Sequence, residues 1–127
     1  MNISALAGII IRSRQQYNKV TMIDLEAIRN AVSNKDYLYT AHALARTTER
    51  HIGRVEIEEV IAAGEMIEEY PDDKYGPTCL LYGRTSKKRH LHVLVSVPPV
   101  KIITAYEPNP EEWEAFRVRK AEDEENL

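Results

Sequence analysis

In YTAHALARTTERHI, Tyr39 to Ile52, the residues His42, Arg46, Glu49 and Arg50 stand at offsets of zero, four, seven and eight, which line one face of a helix. Further along, His90 and His92 flank Leu91 in HLHVLVS, and Thr104 and Tyr106 close IITAY. These residue types match what metal-free cutting of RNA requires. One group must take the proton of the ribose 2′ hydroxyl, a second must protonate the leaving oxygen, and fixed positive charge must hold the phosphate. Histidine suits the proton transfers because its ordinary pKa, about 6.5, lies near working pH. Arginine suits the phosphate because its planar fork donates two parallel hydrogen bonds, and tyrosine can stack on a base or donate its phenolic proton.

Elements must bring these groups together. Thr21 followed by Asp24, with an apolar stripe of Ile23, Ala27, Ile28 and Ala31, predicts a helix from about Met22 to Val32. Thr40 caps a second helix with Ala41, Leu44, Ala45, Thr48 and Ile52 toward the core. Val55, Ile57, Val60 and Ile61 give a third, closed at Gly64 by a left-handed glycine. EMIEEY (Glu65 to Tyr70) reads as an edge strand, TCLLYGR and HLHVLVS as a hairpin around TSKKR, and VKIITAY (Val100 to Tyr106) as a returning strand. Asn109, Pro110 and Glu112 announce a last helix carrying Trp113 and Phe116. The fold class is α+β, with N-terminal helices packed on an antiparallel sheet of about four strands and a C-terminal helix.

Strand parity then gathers side chains. Leu91, Val93, Val95 and Val97 share the core side, and His90, His92, Leu94 and Ser96 share the other. A five-residue TSKKR loop sets Arg84 opposite His90 and Tyr82 opposite His92. A three-residue turn at VPP sets His92 opposite Thr104 and His90 opposite Tyr106, whereas a two-residue turn would flip the last strand and break the cluster. Plainer accounts exist for each part. An ion pair on a solvated helix face explains Arg46 and Glu49, the wet side of a sheet explains His90 and His92, and core packing explains Trp113 with Phe116.

Taken together, AHALARTTERHI, the Gly64–Glu65 step, LHV (Leu91 to Val93), ITAYEP (Ile103 to Pro108) and Trp113 resemble the bacterial domain-of-unknown-function 4258 family over about Ile23 to Arg119. That family is similar in layout to RelE-like messenger-RNA interferases, often the toxin half of toxin–antitoxin pairs beside small zinc-finger antitoxins. The resemblance implies an endoribonuclease toxin. Its signature positions make His42, His92, Tyr106 and Thr104 the catalytic candidates and Arg46 and Arg50 the phosphate holders, to which the strand-parity cluster adds Arg84, His90 and Tyr82 as RNA-binding residues. No metal and no cofactor are expected, since no nearby carboxylate completes a ligand set with His90 and His92; the partners implied are RNA, on or off the ribosome, and a small antitoxin protein, with the zinc-finger type as one option. A homodimer stays open. The opposing expectation is a non-catalytic protein-interaction module or a decayed toxin relative. Residues 1–21 have no counterpart in the resemblance: either Met22 is the true start, or they form an arm that binds a partner.

Composition sets the outer limits. At 127 residues, 43% hydrophobic and 29% charged, the chain has the size and balance of a single domain, here 22–119, with an extension over 1–21 and an acidic tail over 120–127. The net charge of -3 does not advertise nucleic-acid binding, although Arg46, Arg50, Arg54 and RTSKKRH are locally basic. One cysteine, Cys79, excludes an internal disulfide and a multi-cysteine zinc site. No run reaches the roughly 18 apolar residues of a membrane span, and Ile3 to Ile11 is too short for a signal peptide. The cytoplasm is the expected compartment, with no membrane partner.

Overall fold

Helix α1 (Leu25–Ser33) begins where the Asp24 carboxylate takes the Ala27 N–H at 3.2 Å. The structure, a computed structural model, describes residues 23–97 and 99–121; Thr21, Met22, the extension over 1–21 and the tail from Glu122 onward lie outside them. Asp24, expected as the acid of a box opened by Thr21, is itself the cap. Strand β1 (Leu38–Tyr39) follows, then α2 (Ala41–Glu49), whose Thr40 cap takes the Ala43 N–H at 3.0 Å as expected. Helix α3 (Arg54–Ala63) starts at Gly53, to whose N–H the Glu56 carboxylate reaches back.

The buried faces of α2 and α3 differ from the expected ones. On α2 the core takes Ala43 and Thr47, with Ile52 just beyond, while Ala41, Leu44, Ala45 and Thr48 are exposed. Small residues at these two positions let the helix lie close over the sheet, and the Thr47 hydroxyl is satisfied by the Ala43 carbonyl at 2.8 Å. Leu44 is left 59% exposed, so its apolarity misdirects the helical phase. On α3, Ile57, Val60 and Ile61 are buried, but Val55 faces solvent and Glu56 faces inward. Gly64 ends this helix in extended backbone, φ -78° and ψ 177°, rather than the left-handed turn. Glycine is needed there for closeness. A Cβ at position 64 would stand 2.4 Å from the Val60 carbonyl oxygen and 2.5 Å from that of Tyr82.

Five strands form the main sheet: β1, β2 (Glu65–Tyr70), β3 (Thr78–Arg84), β4 (His90–Ser96) and β5 (Lys101–Tyr106), in the order β1-β5-β4-β3-β2. The antiparallel meander β2 to β5 and the edge position of β2 agree with the sequence reading. The sheet is mixed, because β1 adds a short parallel strand beside β5, Leu38 opposite Lys101 and Tyr39 opposite Ile102. Two residues carry no readable period, so β1 escapes the alternation rule. Among the described residues α2 and α3 pack on one side of the sheet, over Leu81, Leu91, Val93, Val95, Ile102 and Ala105, and α1 packs against α3.

Registers decide which side chains meet. Arg84 pairs with His90 and Tyr82 with His92, as the five-residue loop requires. Across the next seam His92 stands opposite Tyr106, not Thr104, and Thr104 pairs with Leu94. Near the Pro-rich connection the partners are Val95 and Ile102, an offset that would turn Tyr106 to the wrong side. A bulge supplies one extra residue, Ile103, and restores the parity.

Among the described residues the expected C-terminal helix is absent. Asn109 takes the Glu111 N–H on its side chain at 2.9 Å and the Glu112 N–H on its carbonyl at 2.8 Å, making one turn that stops. The chain then forms a hairpin of β6 (Trp113–Glu114) and β7 (Val118–Arg119), which lays both Trp113 and Phe116 on the sheet. Among the described residues no helix is long and apolar enough to cross a membrane.

Candidate functional site

The side of the sheet away from the helices is built by alternate residues of β3 to β5. Because Tyr82 pairs with His92 and His92 with Tyr106, three rings form a row across three strands. The β6–β7 hairpin straps this row. Trp113, 3% exposed, meets the His92 ring edge to face at 4.5 Å between centroids. Phe116 stacks on His90 at 3.9 Å and, more distantly, on Tyr82 at 5.9 Å. The Tyr82 hydroxyl lies 2.7 Å from His90 Nδ1.

His92 is fully buried, and both its ring nitrogens are engaged. Nε2 is 2.7 Å from the Phe116 carbonyl oxygen and Nδ1 is 3.2 Å from the Tyr106 hydroxyl. A carbonyl only accepts, so Nε2 carries a proton, and in the neutral ring Nδ1 then accepts from Tyr106. Burial holds the His92 pKa below its usual value, against the opposing pull of the Phe116 carbonyl and the Glu68 charge. Burial likewise raises the Tyr106 phenol, which therefore stays protonated and donates. A neutral, doubly bonded imidazole is an anchor in this state, not a free base.

Beside the strap the sheet is concave. Leu80 and Leu94 floor a groove of about 230 Å³, with Thr104, Tyr106 and Tyr70 as walls and Asp73 and Arg119 at the rim. The rim charges are already partnered. Arg119 binds Glu68 at 3.2 Å and lies 4.4 Å over the Trp113 ring, the Tyr70 hydroxyl also reaches Glu68, and the Asp73 carboxylate accepts the Tyr75 N–H at 3.1 Å. Such a surface suits an apolar or aromatic side chain with a polar end better than it suits a phosphate.

The residues singled out from sequence separate into two sets. Tyr82, His90, His92, Thr104 and Tyr106 share the open side of the sheet, with exposed Arg84 opposite His90. His42 and Arg46 belong to α2 on the helical side, where His42 is exposed and Arg46 pairs with Glu49 at 3.1 Å. Arg50 connects the sides. It caps the C-terminal end of α2, and its guanidinium donates to the Ala105 carbonyl at 2.8 Å and touches Thr104 Oγ1 at 3.5 Å. His42, Arg46, His92 and Tyr106 therefore do not surround one guest.

Two features escape the sequence reading. Arg89, inside the basic TSKKR loop, turns inward to Glu56 at 2.9 Å, to Glu107 at 2.7 Å and to the carbonyls of Arg50 and His51. Glu56, 2% exposed, also takes the Thr85 hydroxyl at 3.1 Å. A carboxylate amid the apolar positions of α3 is the one signal that could have pointed to this pair. Tyr70 and Arg119 are the second omission; they reach the groove only because β2 and the strap flank it.

A family model described as Domain of unknown function (DUF4258) matches residues 39–107. The chain belongs to that family. The DUF4258 match opens at Tyr39 in β1 and closes just past β5, so it holds α2, α3 and the meander, while α1 and the β6–β7 strap lie outside it. This is narrower than the span suggested by the sequence motifs. Comparison with curated proteins and with solved structures gives no match.

The strap carries a local cost. Ala115 and Phe116, the central residues of its turn, are both left-handed, φ 51° and 62°, where an L residue loses roughly 1–2 kcal/mol. Ala115→Gly removes that cost and adds back about 0.5–1 kcal/mol of glycine chain entropy. The expected net is a gain of up to about 1 kcal/mol in urea unfolding, without change in the Trp113 environment; a loss would show that the turn is unstrained.

Proposed function

We propose that this protein is a non-catalytic protein-interaction module that docks a partner on the open side of its sheet, over the Leu80–Leu94 groove. The observation that carries this reading is His92: fully buried, bonded through both ring nitrogens, and separated by the sheet from His42 and Arg46. The paired rim charges and apolar floor support a protein ligand, as does the net charge of -3, which works against a polyanion.

A second reading, metal-independent RNA cleavage by a toxin of the RelE-like type held by a small antitoxin, draws support from one feature. Tyr106, Thr104 and Arg119 line the same groove, and Arg50 touches Thr104 at its edge. Here Tyr106 would donate a proton and the two arginines would meet phosphate.

One pair of assays separates them. Purified protein is expected to leave messenger RNA intact with and without ribosomes. It is expected to bind a small protein encoded beside it, with affinity falling tenfold or more in Leu94→Arg, as for a residue at the centre of an interface. RNA cleavage that disappears in a folded Tyr106→Phe variant would overturn the docking reading and establish the second.

A further inference from the structure

We infer that the β6–β7 hairpin is a proton-released strap, closed over Tyr82, His90 and His92 while His92 is neutral and lifted when His92 gains a proton. This adds regulation to the docking side proposed above, and its test uses the chain alone, so it fails or stands separately from that reading.

The hold of the strap is narrow. Its strands have two residues each, and its turn keeps two L residues left-handed. What fastens it to the sheet is concentrated at three places: the Phe116 carbonyl on His92 Nε2, the Phe116 ring on His90, and Trp113 against His92. Two ion pairs tie it to the β2 edge: Arg117 with Glu65 at 3.0 Å, exposed on both sides and so weak, and Arg119 with the part-buried Glu68 at 3.2 Å. His92 thus sits at the centre of the attachment, fully buried with Trp113 of the strap against its ring and the Phe116 carbonyl on its Nε2.

Enclosure penalises the imidazolium. The groups facing His92 are Tyr82 from β3, Tyr106 from β5, Glu68 from β2 and Arg119 from β7, with His90 two positions along its own strand; Arg117, paired to Glu65, lies over the Tyr82 ring. Burial is the largest influence and disfavours the charged ring, with Arg119 on its side, and it outweighs the Phe116 carbonyl and Glu68, which favour that ring. The closed state therefore binds fewer protons than the open one. Closure is fully favoured above the ordinary histidine pKa and is lost as pH falls through that value toward the lowered one. Each unit of difference between the two states changes the closed-to-open ratio by about tenfold. Lifting the strap would bare Tyr82, His90, His92 and Trp113 beside Tyr106, enlarging the apolar and aromatic area open to a partner.

Trp113 is the only tryptophan of the chain and reports on this directly. From about pH 8 to about pH 5, across the range where histidine changes charge, its emission maximum is expected to move to the red and its acrylamide quenching to rise. Far-UV circular dichroism should hold steady over the same range. His92→Gln keeps an N–H for the Phe116 carbonyl but cannot titrate, so its Trp113 signal should stay flat. Should that variant not fold, the His92 ring resonances of the unaltered chain must titrate with the same midpoint as Trp113 emission. A Trp113 that stays shielded until the circular dichroism collapses would overturn the inference. So would a glutamine variant that opens at the same pH, or different midpoints for His92 and Trp113.

Discussion

Arg89→Ala is expected to lower the stability of the fold by about 3 kcal/mol, near the lower end of the range for stripping one partner from a buried ion pair. The carboxylate left behind, Glu56, is 2% exposed and would keep only the Thr85 hydroxyl and the Gly53 N–H as donors. The loss does not end with the charge. Arg89 also bonds the carbonyls of Arg50 and His51, so one guanidinium pins the β3–β4 loop to the α2–α3 junction. The hydrogen bonds to Glu107 and Glu56 raise the Arg89 pKa further, keeping the group charged at every accessible pH. Urea unfolding should show the midpoint fall at constant slope. Because Arg50 is positioned at the same junction, a folded Arg89→Ala protein should also bind more weakly at the groove edge by Thr104. A stability loss below about 1 kcal/mol, the level of an exposed pair, would mean that Glu56 relaxes to water and that the pair is ornamental.

Gly64→Ala is the second large effect. The added methyl meets two backbone carbonyl oxygens, those of Val60 and Tyr82, at 2.4 and 2.5 Å, and neither can swing aside as a side chain would. Accommodating it means separating the end of α3 from β3, at a cost of about 3 kcal/mol, the upper part of the range for overpacking. The backbone of Tyr82 moves with it, so the His90 hydrogen bond and the seat of Phe116 are disturbed even in molecules that fold. Gly53→Ala is the control. Nothing lies within 4 Å of its Cβ position and its φ of -88° suits any residue, so the expected loss is no more than about 1 kcal/mol, from poorer capping. Equal losses at the two sites would show that glycine at 64 serves chain flexibility rather than close approach.

The meander was legible because its strands are long enough for a period of two to show and are bounded by PDDKYGP, TSKKR and the proline pair. That period placed Tyr82, His92, Thr104 and Tyr106 on a common side. The register between β4 and β5 was less accessible, since the bulge at Ile103 is a backbone event that side-chain alternation does not record. Helix α2 was legible as a helix from Thr40 but not in its rotation. Ala43 and Thr47, both small, are the buried pair, whereas the larger Leu44 points to water. The largest gap concerns access to His92. Asn109, Pro110 and Glu112 satisfy the rules for a helix start, yet the hydrogen bonds of Asn109 close a single turn and release Trp113 and Phe116 to the sheet. Local capping chemistry was read correctly and tertiary aromatic contacts overrode its continuation. Residue types therefore located the histidines without indicating that one of them is sealed.

The spare residue at Ile103 also bears on how this architecture tolerates change in chain length. A connection before β5 that gained or lost one residue would ordinarily invert every side chain downstream, but a strand that already absorbs an irregularity can gain or shed it instead. Thr104 and Tyr106 then keep their outward aim while the proline-rich connection drifts in size, and the groove is insulated from insertions and deletions a few residues away.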